Sequence, residues 1–282
     1  MTRPLDIEAL LARRLCFERS YTPRDVILYN LSLGMGIDEA DLPFVTGSTP
    51  LAIPTFAVDL AFGQRLLRPD DDFDFAREVH GEQRTLFHHP LPPATTILGE
   101  VRITDIVDKG PGKGALVIQQ VILTHKDSGK RLATATGTAF FRGDGGRGGT
   151  GTQSPTPHRL PERPADNTIE TRTRPDQALL YQLNGDANPL HWDPAAAQAA
   201  GFDQPILHGL CSYGIAARAV IATFCSGAPA ALARFDTRFS APLHPGETLL
   251  TDLWRDGTAV SWRCRSKERG VAVLTSGYCE LT

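Results

Sequence analysis

The chain has 282 residues, of which 41% are hydrophobic and 22% charged, ordinary values for a soluble globular protein that argue against wholesale disorder. Its 29 basic and 32 acidic side chains give a net charge of -3, which argues against a broad electrostatic grip on nucleic acid. No apolar run approaches the ~20 residues needed to span a bilayer, and the length suits one large domain or two of about 140 residues.

In chain order, the start MTRPLDIEALLARRL has acids inside it and no apolar h-region, so it predicts a short amphipathic helix and not a signal peptide. Residues 22–33 and 54–67 predict helices. Val79-His-Gly-Glu-Gln83 predicts a polar turn. Alternating runs rich in Val, Ile, Thr and aromatics over 98–107, 115–124 and 131–141 predict strands, with a turn at Lys109-Gly-Pro-Gly112 between the first two. Residues 143–164, GDGGRGGTGTQSPTPHRLPERP, are nearly free of apolar side chains and predict an unpacked linker. A phosphate loop is not expected there, because no GKS or GKT follows. Beyond it, helices are expected over 175–183 and 207–224 and strands over 248–254, 259–264 and 271–281. The result is an α+β architecture, an antiparallel sheet on a long helix, twice over.

The two parts repeat each other. Pro90-Leu-Pro-Pro-Ala-Thr-Thr-Ile97 recurs as Pro242-Leu-His-Pro-Gly-Glu-Thr-Leu249, a shift of 152 residues (242 − 90), and Phe87 maps to Phe239 and Tyr29 to Tyr181 at the same shift. A duplicated module of about 130 residues explains this better than chance. The expected organisation is an N-terminal module (1–142), a linker (143–164) and a C-terminal module (165–282).

The five cysteines (Cys16, Cys211, Cys225, Cys264, Cys279) are odd in number and form no CxxC. Neither a disulfide framework nor a zinc site is expected, and a reducing cytoplasm fits. One segment stands apart: Tyr181-Gln-Leu-Asn-Gly-Asp186-Ala-Asn188-Pro-Leu-His191. Gly185 and Pro189 break the helix, so Asp186, Asn188 and His191 can converge. An Asp–His couple serves acid/base chemistry near neutral pH, and an Asn can hold a water through donor and acceptor. The same residues also make an ordinary turn and cap. Downstream, Pro205-Ile-Leu-His208-Gly209-Leu precedes an apolar helical run. A glycine at a helix start presents a free N–H backed by the helix dipole, an oxyanion donor. His208 reads better as structural than as acid/base. Cys211 and Ser212 belong to the helix and not to a nucleophile elbow, since the spacing is not GxSxG. In the first module Gly34, Gly36 and Glu39 stand where Asp186, Asn188 and His191 do in the second, so only one module carries the reactive groups.

These motifs resemble the hydratase 2 signature of the MaoC-like dehydratases. Ala200-Gly-Phe-Asp-Gln-Pro-Ile-Leu-His-Gly-Leu-Cys211 belongs to the same pattern. Tyr21-Thr-Pro-Arg-Asp-Val-Ile-Leu-Tyr29, Val79-His-Gly-Glu-Gln83 and Asp108-Lys-Gly110 resemble the first half of those enzymes. The resemblance implies a double hotdog fold and (3R)-specific hydration of trans-2-enoyl-CoA to (3R)-3-hydroxyacyl-CoA, a hydro-lyase reaction with no metal or redox cofactor. It implies catalytic roles for Asp186, His191, Asn188 and Gly209. It places His80, Gly81, Lys109 and Phe239 in the substrate site, with Lys109 meeting a CoA phosphate unless it is simply a solvated turn residue. A homodimer is expected, without nucleic-acid or membrane partners. The ending CELT is not a peroxisomal tripeptide, which favours a cytoplasmic enzyme. A first module freed from chemistry leaves room for a bulky acyl tail. The alternatives are a hotdog acyl-CoA thioesterase and a non-catalytic acyl-CoA binding protein.

Overall fold

A computed structural model describes residues 4–282; the first three residues of the expected N-terminal helix lie outside the described residues. Asp6 caps helix α1 (Ile7–Ala12), its carboxylate accepting from the Ala9 N–H at 3.0 Å, and the chain then runs straight into strand β1 (Arg14–Tyr21). Helix α2 (Pro23–Ser32) starts as its sequence dictates: Thr22 and Asp25 form a capping box, and Pro23 occupies the first turn where its missing N–H costs nothing. The short helices α3 (Leu42–Val45) and α4 (Phe56–Leu60) precede strands β2 (Glu78–Phe87), β3 (Thr95–Asp108), β4 (Ala115–His125) and β5 (Arg131–Phe141). The second half supplies β6 (Asn167–Arg172), α5 (Gln177–Tyr181), α6 (Pro194–Ala199), α7 (Gly209–Phe224), β7 (Leu232–Phe239), β8 (Thr248–Asp256), β9 (Ala259–Ser266) and β10 (Ala272–Leu281). No helix among the described residues is long and apolar enough to cross a membrane.

All ten strands form one antiparallel sheet in the order β1-β3-β4-β5-β2-β7-β10-β9-β8-β6. The halves contribute five strands each in mirrored order, and β2 meets β7 at the seam. There Arg84 lies opposite Asp236. Those positions differ by 152 (236 − 84), the shift of the repeat, so a pseudo-twofold axis passes between them. The core is continuous across the seam: Tyr29, Leu33 and Phe56 from one half share it with Tyr181, Tyr213 and Trp262 from the other. A Cβ at Gly214 would lie 2.6 Å from Leu33 and 2.9 Å from the Tyr29 hydroxyl, so α7 crosses α2 as closely as it does only because that position is glycine.

Three expectations need correction. Val79-His-Gly-Glu-Gln83 is strand and not turn, with Gly81 at a register shift between His80 and Glu82. The strand is hard to read because Gln83 and Thr85 face the core while Glu82 and Arg84 face outward, leaving no apolar alternation. The helix expected over 54–67 ends at Leu60. Gly63 turns the chain out at φ +81°, and Gln119 then holds it extended, donating to the Gln64 carbonyl at 2.7 Å and accepting from the Leu66 N–H at 3.3 Å. The first half therefore lacks the long helix of the second.

The third correction concerns the glycine-rich segment, which joins the halves but is packed. Asp108 accepts from the N–H groups of Gly110, Gly146 and Gly148 at 2.7–2.8 Å, and Thr150 N–H donates to the Ile106 carbonyl at 2.8 Å. A Cβ at Gly145 would lie 2.1 Å from the Gly110 carbonyl. Arg147 is buried and donates to Asp144 at 2.7 Å and to the Asp72 carbonyl at 2.6 Å. The glycines serve close backbone approach here and not freedom of motion.

Candidate active site

The turn that carries the acid/base candidates is shaped by backbone chemistry. Helix α5 passes through a 3-10 turn (Gln182–Asn184), and Gly185 reverses the chain at φ +127°, a conformation that favours glycine. Asn188 then caps the next 3-10 turn (Pro189–His191): its Oδ1 accepts from the Leu190 N–H at 3.1 Å, and its own N–H donates to Asp186 Oδ1 at 3.3 Å. Asn188 is exposed and its carbonyl oxygen is committed to the turn, which leaves its amide NH2 as the group available to a ligand.

This arrangement brings His191 Nε2 to 3.9 Å from Asp186 Oδ2. His191 Nδ1 lies 2.9 Å from the Ile206 carbonyl, which can only accept, so Nδ1 carries the proton and the Nε2 lone pair faces Asp186. The gap is too long for a direct hydrogen bond and fits one water. An oxygen about 2.8 Å from each atom subtends about 90° between them. Burial pushes the Asp186 carboxyl above its ordinary value, with His191 opposing, and burial pushes His191 below its own, with the Ile206 carbonyl and Asp186 opposing. Each environment thus favours the neutral form, which suits groups that trade a proton.

His208 holds this pair in place. It stands just ahead of α7, is 1% exposed, donates through Nε2 to the Asp186 carbonyl at 3.0 Å and stacks on the His191 ring at 3.7 Å. Burial and the neighbouring His191 lower it to about 3, so it is neutral, and its expected structural reading stands. Although Asp186, His191 and His208 offer donor atoms within 4.8 Å of one another, one nitrogen of each ring is spent on a carbonyl. The remaining His191 Nε2 faces Asp186, an arrangement suited to proton transfer between the two. Cys211 and Ser212 lie buried in α7, and burial drives the Cys211 thiol far above its usual range, which excludes a ready nucleophile.

Gly209 opens α7, the 16-residue helix, so its N–H has no acceptor within the helix. A Cβ there would lie 2.9 Å from Cδ1 and Cε1 of Phe239. Phe239 in turn lies 4.5 Å, ring to ring, from His80. The rim continues through Gly81, where a Cβ would lie 3.7 Å from Phe140. Lys109 Nζ sits over that same Phe140 ring at 5.1 Å. The structure thus brings Gly209, Phe239 and His80 together, while Gly81 and Lys109 both neighbour Phe140. Lys109 lies in the turn that Asp108 and the glycine-rich segment brace, with its N–H on the Gly114 carbonyl at 3.1 Å.

Two residues of the first half also reach the site. Asp59 on α4 accepts from the Tyr181 hydroxyl at 2.7 Å, and Arg19 on β1 donates to the Asp59 carbonyl at 3.0 Å and to the Asn184 carbonyl at 3.5 Å. The sequence signal for Asp59 is a lone acid inside the apolar run 51–62; Arg19 has none. A cavity of about 310 Å³ opens elsewhere, between residues 156–158 and the outer faces of β2 and β7. Its Arg84, Arg234 and Arg238 are each paired with Glu82 or Asp236, and Asp186, His191 and His208 are not part of it.

Residues 19–143 match the MFE-2 hydratase 2 N-terminal domain, and residues 156–276 match the MaoC like domain. The chain is 40% identical over 240 residues to 3-hydroxyacyl-thioester dehydratase Y of Mycobacterium tuberculosis, covering 83% of this chain and 82% of that protein. It is 35% identical to peroxisomal enoyl-CoA hydratase 2 of Arabidopsis thaliana, covering 97% and 94%. Among solved structures, a MaoC-like dehydratase from Phytophthora capsici superposes with a TM-score of 0.89 at 33% identity, covering 99% of this chain and 98% of that one. A Mycobacterium tuberculosis protein described as having a double hotdog fold superposes at 0.57 with 15% identity, a likeness of fold alone. With its mirrored five-strand halves and with both domains matched in order, the chain is a double hotdog protein of the MaoC-like hydratase 2 family.

Proposed function

We propose that this chain catalyses the reversible addition of water to a trans-2-enoyl-CoA, giving (3R)-3-hydroxyacyl-CoA. The observation that carries the reading is the 3.9 Å spacing of Asp186 Oδ2 and His191 Nε2, beside the Gly209 N–H that opens α7. A water held between them gives its oxygen to C3 while the pair takes its proton, and a proton from the pair passes to C2. The proton count of the site is then unchanged, and no metal or redox cofactor enters. The Gly209 N–H receives the charge that develops on the thioester oxygen; a donor of this kind is worth about 3 kcal/mol in the transition state. Asn188 offers its amide NH2 to the water. His80, Gly81 and Phe239 line the path of the thioester, and Lys109 meets a CoA phosphate on the rim.

The early end of α4, five residues against the sixteen of α7, supports an acyl tail running into the first half. The family resemblance favours a homodimer, and five free cysteines are compatible with a reducing compartment. Loss of the enoyl absorbance over a panel of chain lengths, with chiral analysis of the product, tests the reaction. Release of free thiol in place of hydration would convert the reading to a thioesterase.

A further inference from the structure

One carboxylate lies beside the acid/base pair with no part in the chemistry above. Asp59 belongs to the half of the chain that has no acid/base pair, and it is 4% exposed. The rest of α4 is apolar: Phe56, Ala57, Val58 and Leu60. Asp59 Oδ1 accepts from the Tyr181 hydroxyl, 122 positions away in sequence, and Oδ2 is buried without a partner. A buried, half-paired carboxyl is unfavourable for folding, and its presence next to a site calls for a role in that site.

The contacts run on from there. The Tyr181 ring lies 4.9 Å from the His208 ring. His208 donates to the Asp186 carbonyl and stacks on His191. Arg19 adds a second tie, donating to the Asp59 and Leu60 carbonyls at 3.0 and 3.3 Å while reaching the Asn184 carbonyl at the head of the catalytic loop. We propose that Asp59 is a positioning residue for the acid/base pair, holding Asp186 and His191 in register through Tyr181 and His208. The inference rests on the hydratase reading of that pair.

Removing the carboxyl leaves the Tyr181 hydroxyl unpaired in the core and releases the ring that packs tilted against His208. A displacement of about 1 Å at reacting groups costs on the order of a hundredfold in rate. Asp59 also acts by charge. The groups facing it are Tyr181 on α5, Tyr29 on α2, Cys211 on α7, Arg19 on β1 and Asp186 in the catalytic loop. Burial raises Asp59 to about 7; Asp186 adds to the rise, and the Tyr181 hydrogen bond and Arg19 oppose it. The phenols of Tyr29 and Tyr181 and the Cys211 thiol are held far above their usual ranges and stay neutral. As pH climbs through about 7, Asp59 ionises, and its negative charge raises the proton affinity of Asp186.

The test uses the full chain with Asp59→Asn, Asp59→Leu and Tyr181→Phe, read by steady-state hydration against pH and by imidazole nitrogen NMR. Asn keeps an acceptor for the Tyr181 hydroxyl but cannot ionise. Its kcat should fall no more than about threefold, and its pH profile should shift, since position 59 can no longer ionise. Asp59→Leu and Tyr181→Phe should each lower kcat about tenfold or more with KM within about twofold, and the double variant should be no worse than either. The His208 Nε2–H signal should move in Leu and stay in Asn. Equal kcat in the Asn and Leu variants, with unmoved imidazole signals, overturns the proposal. If the Leu variant does not fold, wild-type kcat with unmoved imidazole signals in Tyr181→Phe overturns it. A wild-type chain that hydrates no enoyl-CoA counts against the hydratase reading alone, and the imidazole signals still decide the role of Asp59.

Discussion

Replacing Gly209 with alanine tests the start of α7 directly. The added Cβ would lie 2.9 Å from the Phe239 ring, about 0.5 Å inside the 3.4 Å at which ordinary van der Waals contact begins (3.4 − 2.9), so one partner must yield. The helix cannot. It is buried from Leu210 through Ala217, Gly214 already rests against Leu33 and Tyr29, and Cys211 points its thiol at the Ser32 carbonyl. Phe239 is only partly buried, and the His80 behind it is exposed. The ring therefore moves, the N–H keeps its aim, and the damage falls on substrate binding. KM should rise about tenfold, equivalent to ~1.4 kcal/mol of uniform binding, with kcat within about threefold. Local overpacking of about 1 kcal/mol should lower Tm by about 2–4 °C. Initial rates that resolve kcat from KM, together with a thermal melt, make the measurement. A hundredfold fall in kcat at unchanged KM would refute the reasoning, since it would mean that the helix start moved and the ring did not.

Asp186→Asn and His191→Ala should each fold normally and lose turnover by ~10²-fold or more; near-wild-type kcat with an unchanged circular dichroism spectrum removes that residue from the proton path. Lys109→Ala should raise KM for CoA esters and spare kcat, because a phosphate contact is uniform binding; an unchanged KM makes Lys109 a solvated turn residue. Asp108 is held below the ordinary carboxylate range, chiefly by the Gly146 N–H and then by those of Gly110 and Gly148. Its contribution to stability is therefore present at neutral pH and fades as pH falls below about 4. Asp108→Asn should lower Tm at pH 7, and the gap to wild type should narrow by pH 3; an equal gap at both values contradicts the assignment. Expressed alone, residues 1–164 and 165–282 should each fail to fold, because each exposes a seam strand and half of the common core. Expressed together they should regain one site per pair, counted by titration with a tight substrate analogue, and two sites would contradict a single catalytic half.

What the sequence made legible was local. Strands β3, β4 and β5 announce themselves by alternation, and α7 by a run of apolar residues after His208. Asp186 and His191 are legible because Gly185 and Pro189 frame them within six residues. What escaped depends on distant partners. Residues 64–66 leave the helical path because Gln119 captures their backbone from β4, 55 positions away. The glycine-rich segment looks like a linker in composition, and only the Asp108 carboxylate and the nearby Gly110 carbonyl reveal that its glycines are there for fit. Asn188 offers donor and acceptor on paper, yet its oxygen is used up by the Leu190 N–H. No pattern marks Arg19 or assigns Tyr181 to Asp59, since those contacts join opposite halves of the repeat.

The pseudo-twofold relation explains how the two halves came to differ without separating. Asp59 and Cys211 are equivalent positions (211 − 59 = 152) on equivalent helices. Each turns its side chain toward the opposite half, Cys211 to the Ser32 carbonyl at 3.5 Å and Asp59 to the Tyr181 hydroxyl. Cross-half contacts of this kind belong to the duplicated fold itself, so they persist whether or not both halves carry chemistry. Once His191 and Asp186 served one site, the equivalent positions Glu39 and Gly34 were free of catalytic constraint, and α4 could end early at Leu60. Besides its core packing, α4 keeps contacts toward the second half, through Asp59 and through the Arg19 clamp on its last carbonyls. On the proposed reading the first half is a wall and brace for one active site per chain, and its effect on catalysis should travel through Tyr181 and His208.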